Sequence, residues 1–301
     1  EASNRVGGRI RTNNSFADFP IPLGAEWLET EVSVLQEMVN DPSVDVRIKT
    51  AFDNPDFKFV NSSWLNFFES YIMPSIANRI RFSHIVDTVD YSKDKVVVST
   101  RDKTFESDAV FVSVPLKVLQ DGHIEFKPAL PSYKSTAIKN AEIWSGFKAF
   151  FEFKTNFYAD GHAFEIKPET DGQKLYYDAT FQQNSSKNIL GLFTIGKPAE
   201  QYTTLKGDAL RDFILTELDQ LFDNKATANY VSHIVQNWND EPFIQGGYLT
   251  DHADWKLVRD LGKSVGNKIF FAGGPYSDGN DRVSVHVAAA SAKTAVTELL
   301  A

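Results

Sequence analysis

The sequence predicts an α/β (α+β) protein in which a Rossmann-like domain is interleaved with a second domain built on a mixed β-sheet with helices. Short apolar runs typical of strands alternate with segments of helical periodicity. The first residues lead into a Gly-Gly turn, and the chain ends as strand, glycine turn and Ala-rich helix. In such a strand–turn–helix unit, the N–H groups at the helix start bind anions or polar cofactor atoms.

The individual elements follow from these periodicities. A strand end over 1–12 enters the Gly-Gly turn. Apolar residues at helical spacing predict helices at 30–40, 63–79, 134–141, 205–221 and 285–300. Alternating or continuous apolar runs predict strands at 80–89, 95–100, 109–114, 148–153, 231–238 and 268–273, and further short strands within 160–197, including 174–178 and 189–195.

Composition excludes several classes of function. The 301 residues suffice for one large domain or two interleaved ones. No run approaches the roughly 20 apolar residues of a membrane span, so we expect a soluble protein, its compartment open and the cytoplasm slightly favoured. A formal charge of −9 gives no basic footprint for nucleic acid. The absence of cysteine excludes disulfides and thiolate metal sites, and the histidines lack metal-ligand spacing, so no metal is expected.

The opening motif indicates a nucleotide cofactor. Glu1 and Ala2 stand at a predicted strand end, where a carboxylate accepts hydrogen bonds from both ribose hydroxyls. Gly7 and Gly8 let the backbone approach a pyrophosphate, and the guanidinium of Arg9 can neutralise it. The alternative is a tight turn beside a surface arginine.

This opening segment resembles the second half of the fingerprint of flavin amine oxidases, the family of monoamine oxidases, polyamine oxidases and flavin-dependent histone demethylases. Further segments resemble that family in its own order, at 23–28, 84–87, 111–131, 145–158, 238–248, 270–273 and 284–292. The resemblance implies FAD. It places the backbone of Gly24 and Ala25 beside the flavin, Val86 against the adenine, and Trp238 against the flavin.

The resemblance also implies the reacting groups. Lys148 matches the family's active-site lysine, which holds a water against flavin N5 and is implicated in reoxidation by oxygen; the alternative is a lysine at a strand edge. Tyr248 matches one wall of the cage that orients the amine, the alternative being a half-buried core tyrosine. Ser284 would be the second wall, and Trp27 a further substrate contact. Gly247 stands where monoamine oxidases carry their flavin-linked cysteine, which implies noncovalent FAD.

The C-terminal segment matches the family with departures. The residues expected at the flavin there are Gly273, Gly274, Val285, His286 and Val287. Gly274-Pro275 replaces the family's acidic residue, and Val287 and Ala292 each replace a glycine. These departures motivate an alternative, a flavin-poor or inactive relative kept as a binding or structural protein.

The predicted FAD-binding domain comprises 1–29, 80–128 and 262–301, and the predicted substrate domain comprises 30–79 and 129–261. The family's Gly-x-Gly-x-x-Gly strand and turn is expected upstream of the first residue and is not in the sequence. The stretch from 27 to 86 is also shorter than in large amine oxidases. A fragment, a chain with omitted segments and a reduced relative all stay open.

The expected reaction is FAD-dependent oxidation of a small-molecule amine to an imine, with reoxidation by O₂ and release of hydrogen peroxide. A desaturase or porphyrinogen-type oxidase is the alternative among enzymes. A histone demethylase is disfavoured, because the sequence carries no histone-binding appendage and no basic patch. A homodimer is left open.

Overall fold

The computed structural model describes residues 1–50, 57–158, 163–165, 171–250, 253–277 and 283–301. The strands are β1 (Thr12–Asn13), β2 (Ile21–Pro22), β3 (Trp27–Leu28), β4 (Ile48–Thr50), β5 (Phe57–Phe59), β6 (Val86–Asp90), β7 (Val96–Thr100), β8 (Thr104–Ser107), β9 (Val110–Val112), β10 (Glu125–Lys127), β11 (Gly146–Phe153), β12 (Ala163–Glu165), β13 (Gly172–Asp178), β14 (Asn188–Gly196), β15 (Tyr230–Asn237) and β16 (Ile269–Phe271). The α-helices are α1 (Val32–Val39), α2 (Trp64–Tyr71), α3 (Met73–Ile76), α4 (Leu116–Gln120), α5 (Ser132–Asn140), α6 (Lys197–Thr203), α7 (Gly207–Leu221), α8 (Lys225–Asn229), α9 (Trp255–Gly262) and α10 (Val285–Leu300). Short 3₁₀ turns occupy Ala77–Arg79, Trp238–Asp240 and Gly274–Tyr276.

Two compact units make up the chain. The terminal unit, named for the two chain ends it contains, comprises Glu1–Gly8, Ile76–Ile143 and Glu241–Ala301. The sheet unit comprises Arg9–Ser75 and Trp144–Asp240. Residues 9–29, predicted in the FAD-binding domain, lie in the sheet unit, and 76–79, 129–143 and 241–261, predicted in the substrate domain, lie in the terminal unit. The assignment of FAD-binding and substrate roles to the two domains stays a prediction.

The terminal unit holds a mixed four-stranded sheet in the order β10-β6-β7-β8, with β10 parallel to β6 and the other pairs antiparallel. A separate parallel pair joins β9 to β16. The strand predicted at 80–89 begins only at Val86, and Phe82 and Ile85 before it are exposed. Strand β8 was not predicted, because its Thr-Phe-Glu-Ser sequence carries a single apolar residue.

The sheet unit is organised around a five-stranded sheet in the order β12-β13-β14-β11-β15. Its described pairs are all antiparallel, whereas a mixed sheet was expected. The physical reason is clear for β13 and β14, since the short connection between them permits a turn but not the crossover of a dozen or more residues that parallel pairing requires.

The two faces of β11 have different surroundings. Side chains alternate along a strand. Phe147, Ala149 and Phe151 point into an apolar core shared with residues of α6, α7 and α8. Lys148 and Phe150 therefore lie on the other face of the same strand. One face of β11 is thus devoted to packing, and the other carries a charged group.

The helix predicted over 63–79 is divided. Helix α2 begins after Ser63, whose hydroxyl accepts a hydrogen bond from the backbone N–H of Asn66 at 3.2 Å. It ends at Tyr71, just before Pro74, whose ring removes a backbone donor and excludes a continuous helix. The other predicted helices are present, at α1, α5, α7 and α10. The start of the strand-rich region at 160 and part of the glycine turn after 277 lie outside the described residues.

A buried lysine lies in the core of the terminal unit. Lys134 on α5 is fully buried, and its Nζ donates to the Leu261 carbonyl at 2.6 Å and lies 3.7 Å from the centre of the Phe271 ring. Burial lowers the pKa of Lys134 to about 7, partly opposed by the negative charges of Asp260 and Glu298. Lys134 therefore holds its proton less tightly than an exposed lysine does.

Replacing Lys134 with Met should flatten the dependence of stability on pH. Because the folded-state pKa lies below the unfolded value, the unfolded chain binds more protons between about pH 7 and 10.5 and stability rises with pH across that window. We expect K134M to remove a rise on the order of 3 kcal/mol between pH 7 and 10. Urea unfolding at several pH values measures it. The matched control K139M, at an exposed position on the same helix, should keep the wild-type slope; equal slopes in K134M and wild type would contradict the assignment.

Candidate functional site

Two segments of the sheet unit, 9–11 and 23–25, run side by side. The Leu23 N–H donates to the Arg11 carbonyl at 2.8 Å, and the Ala25 N–H donates to the Arg9 carbonyl at 3.1 Å. The pairing continues into β1 and β2. Gly24 is consequently pressed against the backbone of Arg9, where an added Cβ would stand 1.7 Å from the Arg9 carbonyl oxygen. Only glycine allows this approach.

Trp238 closes the other side of this segment. Its indole N–H donates to the Leu23 carbonyl at 3.2 Å, and its ring would lie 2.9 Å from a Cβ at Gly24. Trp238 is buried. Four residues predicted to contact the cofactor, Arg9, Gly24, Ala25 and Trp238, are therefore brought together within the sheet unit from three distant parts of the sequence.

Lys148 lies close to this segment, in a buried cluster around one carboxylate. Its Nζ is 2.6 Å from Glu26 Oε2 and donates to the Pro22 carbonyl at 3.3 Å. Lys58 Nζ is 3.4 Å from Glu26 Oε1, and the Tyr177 hydroxyl donates to Oε2 at 2.5 Å. The predicted alternative, a lysine at a strand edge, is wrong, since β11 lies between β14 and β15 and Lys148 is 2% exposed.

Aromatic rings surround the Lys148 ammonium. The centres of the Trp27, Phe150 and Phe193 rings lie 4.7, 5.7 and 5.8 Å from Nζ. Trp27 packs edge-on against both Tyr177 and Phe193. Cations are attracted to ring faces, and the attraction grows when water is excluded. The site thus combines an aromatic wall with a fixed positive charge.

In this cluster, burial and neighbouring charges have opposing effects on the pKa values of Glu26 and Lys148. Burial alone would raise the pKa of Glu26, but the ammonium groups of Lys148 and Lys58 and the hydrogen bonds from Lys148 and Tyr177 outweigh it and the pKa is lowered. Burial lowers the pKa of Lys148; Glu26 opposes this and Lys58 adds to it. Glu26 is therefore ionised, and Lys148 holds its proton less tightly than an exposed lysine does.

A small pocket, with room for about one water molecule, lies on the Lys58 side of the cluster. Its lining residues include Glu26, Lys58, Phe59, Ser62 and Gln183.

Sequence reasoning did not single out Glu26, Lys58 or Tyr177. Glu26 lies inside the segment that resembles the family's Gly-Ala-x-Trp motif, at the variable position. Lys58 and Tyr177 meet it from 32 and 151 residues away. A charge at the variable position was the one signal that sequence offered, and no local pattern identified its two partners.

In the terminal unit, the chain start runs along residues 83 and 84. The N–H groups of Ser83 and His84 donate to the carbonyls of Ser3 and Glu1, both at 2.9 Å. The Glu1 carboxylate is exposed and accepts from the N–H and hydroxyl of Ser3 at 2.9 and 2.8 Å, which fixes its direction. Val86 follows at the start of β6, so the chain start and Val86 are close, as the nucleotide prediction requires.

The glycine turn next to this start is open. Gly7 and Gly8 have φ of 97° and 54°, which favours glycine, and an added Cβ at Gly8 meets no atom within 4 Å. Backbone that is both left-handed and open accommodates a phosphate group. Together with the exposed Glu1 carboxylate, it fits the ribose and pyrophosphate of a flavin dinucleotide, and Glu1, Ala2, Gly7 and Gly8 are the residues that would hold them.

The departure at Pro275 has a structural reason. Gly273, Gly274 and Pro275 lead into a buried 3₁₀ turn, and the Tyr276 hydroxyl at its end donates to the Val114 carbonyl at 2.8 Å. Proline fits the first positions of such a turn because its fixed φ suits it. Pro275 thus serves packing.

Helix α10 is tied to this turn through Ser291. The Gly273 N–H donates to the Ser291 hydroxyl at 2.8 Å. Within the described residues, the Ser284 side chain makes no capping hydrogen bond to the first N–H groups of the helix, from Val285 to Val287. The ring atom Nδ1 of His286 is buried and finds no hydrogen-bond partner in the part of the chain that the structure describes. A helix start of this kind suits an anionic or polar cofactor atom.

Tyr248 also lies in the terminal unit and is half-buried. It stands beside Leu249, which forms an isolated bridge with Ile143, and the Thr250 N–H donates to the Glu142 carbonyl at 3.0 Å. The backbone around Tyr248 is therefore fixed. Ser284 is buried in the same unit.

Comparison with known proteins decides the family. The model of the flavin containing amine oxidoreductases matches residues 1–66 and 73–300. The chain belongs to this family.

Relatives and solved structures agree with the assignment. Lysine-specific histone demethylase 1 homolog 3 of Arabidopsis thaliana is 29% identical over 204 residues, 66% of this chain and 12% of its own. Probable polyamine oxidase 4 of the same plant is 27% identical over 198 residues, 64% of this chain and 39% of its own. Cyclohexylamine oxidase from Brevibacterium oxydans IH-35A has a TM-score of 0.67 at 16% identity, over 81% of this chain and 53% of that one. This chain spans about half or less of the length of these proteins.

The fold agrees with this family. The structural similarity supports the α/β FAD-binding fold that the sequence predicts. Among the described residues, no group of three or more His, Asp or Glu side chains could hold a metal ion. No helix in the described part of the chain is long and apolar enough to cross a membrane.

Replacing Gly24 with Ala should disrupt the sheet-unit site. The added Cβ collides with the Arg9 carbonyl and the Trp238 ring, and we expect a loss of about 3 kcal/mol in the free energy of unfolding. Tryptophan fluorescence during urea unfolding measures it. The control G207A adds a Cβ at a left-handed glycine with open space and should cost only about 1 kcal/mol. Equal losses in the two variants would contradict the close approach.

Proposed function

We propose that this chain binds FAD noncovalently and oxidises a small amine to an imine, with O₂ as the electron acceptor and hydrogen peroxide as the by-product. The observation that carries the proposal is the buried Lys148 ammonium with its aromatic wall, next to the Gly24–Trp238 segment, in a member of the flavin containing amine oxidoreductases. FAD, when bound, supplies the two-electron chemistry by accepting a hydride equivalent from the amine α-carbon.

The nucleotide end of FAD would be held by the terminal unit. Glu1 and Ala2 would bind the ribose, Gly7 and Gly8 the pyrophosphate, and Val86 the adenine. The exposed Glu1 carboxylate and the open turn support these roles. Further polar contacts would come from Gly273, Gly274, Val285, His286 and Val287.

The flavin ring would lie against Gly24, Ala25 and Trp238, with Arg9 neutralising phosphate charge. Lys148 would hold a water at the flavin and assist reoxidation by oxygen. Its ammonium, fixed within an aromatic wall, is a donor whose direction is preset, and preset donors stabilise developing negative charge without reorganisation.

The amine would be oriented by aromatic and polar side chains. Tyr248 and Ser284 would form the two walls of the substrate cage and Trp27 a further contact. Noncovalent attachment is supported by composition, since Gly247 stands at the position of the linking cysteine and the chain has no cysteine at all.

A second candidate function is a flavin-poor binding protein of the same fold. The observation that favours it is Val287, a branched residue at the start of α10 in place of a glycine. A branched side chain there would hinder close approach of a flavin. A desaturase or porphyrinogen-type oxidase remains the alternative among flavin enzymes.

The purified protein should carry flavin and oxidise amines. We expect absorption near 450 nm, a general property of oxidised flavin, and release of all flavin into the supernatant after acid precipitation, because attachment is noncovalent. Incubation with putrescine, a polyamine and cyclohexylamine should yield hydrogen peroxide and aldehyde or ketone from at least one of them. Protoporphyrinogen serves as the control substrate. Protein that takes up no flavin when FAD is added would favour the binding protein, and turnover of protoporphyrinogen alone would favour the porphyrinogen-type oxidase.

Turnover should rise with pH. The amine must lose its proton before its α-carbon can release hydride, so kcat/KM is expected to increase between about pH 6 and 9. Initial rates of peroxide formation at fixed ionic strength measure the profile. A flat profile over this range would count against amine oxidation, because a proton-linked step leaves such a trace.

A further inference from the structure

Both oxygens of Glu26 are occupied. Oε2 accepts from Lys148 and Tyr177, and Oε1 faces Lys58, whose Nζ also donates to the Ala179 carbonyl at 3.1 Å. The side chains of Glu26, Lys148 and Lys58 are 1%, 3% and 6% exposed. With three donors from three different segments, the carboxylate has no freedom to turn.

The cluster contains more positive charge than pairing requires. Two lysines share one carboxylate, so with all three groups ionised the cluster carries one net positive charge. Buried charges without full compensation are costly, and a second cation near an ammonium weakens its hold on the proton. The ionisable groups that face Lys148 are Glu26 and Lys58, and Tyr177 joins them through the shared carboxylate oxygen.

A second buried carboxylate beside the same sheet, that of Glu217, provides a comparison. Glu217 on α7 accepts from Lys174 at 2.5 Å, from Tyr176 at 3.0 Å and from Tyr202 at 2.5 Å. Tyr176 and Tyr177 are neighbours on β13 and therefore point to opposite faces. The Glu217 cluster ties the helix to the sheet with a single lysine.

The additional lysine distinguishes the Glu26 cluster. One lysine and two tyrosines hold the carboxylate on the other face, whereas a second lysine, Lys58, takes the place of the second tyrosine at Glu26. Lys58 thereby adds a positive charge that weakens the hold of Lys148 on its proton.

We propose that Glu26 is a positioning residue for Lys148: the carboxylate fixes the direction of the Lys148 ammonium, and its division between two lysines sets how strongly that ammonium is paired. The proposal is based on the contacts of Glu26 with Lys148 and Lys58. Its consequence for turnover rests on the proposed function, in which Lys148 acts at the flavin.

The test follows the Lys148 ammonium directly. Lysine labelled with ¹³C at Cε and ¹⁵N at Nζ reports the titration of each side chain by NMR, and the Lys148 signal is assigned as the one missing in K148M. In E26Q, Lys148 should titrate at a pKa lower by about 2 or more, a change of about 100-fold in proton affinity, because its compensating charge is lost. In K58M it should titrate higher than in wild type, because the competing cation is gone.

Two further variants serve as controls. E26Q/K58M keeps the net charge of the cluster but lacks the carboxylate, and should give a Lys148 signal with altered chemical shift and faster ammonium proton exchange than wild type. E217Q removes the matched carboxylate on the opposite face and should leave Lys148 unchanged. An unchanged Lys148 titration and exchange rate in E26Q/K58M and K58M overturns the proposal, and both remain informative if E26Q alone does not fold.

Kinetics of the flavin-loaded protein give an independent readout. E26Q is expected to lower kcat by about 10-fold or more with KM nearly unchanged, since a donor moved by about 1 Å loses its catalytic alignment. E26D, which keeps the charge, should recover part of the rate. The NMR experiment requires neither bound flavin nor turnover. If the protein binds no flavin, the proposed function is rejected, and the NMR data still show whether Glu26 positions Lys148.

Discussion

The Glu26 carboxylate joins parts of the sheet unit that are far apart in sequence. It lies between β2 and β3, while its partners come from β5, β11 and β13. Removing Glu26 or Lys148 from this buried network would leave an uncompensated charge, typically at a cost of about 3–5 kcal/mol. Removing Lys58 would leave Glu26 and Lys148 as a neutral pair. The positions of Trp27 and Lys148 follow from this network.

The carboxylate is in turn placed by a backbone constraint. Gly24 touches the Arg9 carbonyl, and Trp238 covers it from the other side. Since neither neighbour leaves room for a side chain, the path of the chain from 23 to 26 is fixed, and Glu26 enters the sheet face from one direction. The steric requirement at Gly24 thus determines where the Glu26 carboxylate lies relative to Lys148.

The departures from the family pattern have different physical characters. Pro275 is accommodated by a buried turn whose tyrosine is anchored to Val114. Val287 is half-buried at the start of α10. Glu26, at a variable position, brings a charge into the candidate active site. The departure at Pro275 concerns packing and the one at Val287 the space at a helix start, whereas Glu26 is no departure but affects the chemistry of the lysine.

The amino-acid sequence by itself determined the family, the α/β class and most helices, because periodicity and short motifs are local properties. It also indicated Lys148, Gly24 and Trp238, since each lies in a segment that resembles the family. Pro74 signalled the break in the helix after Tyr71, which periodicity alone overlooked, but the sequence could not foresee the antiparallel order of the five-stranded sheet. The tertiary structure alone decided that Lys148 shares Glu26 with Lys58 and Tyr177. Burial and contact between residues up to 151 positions apart depend on how strands are ordered and which face each side chain takes, and no local pattern carries that information.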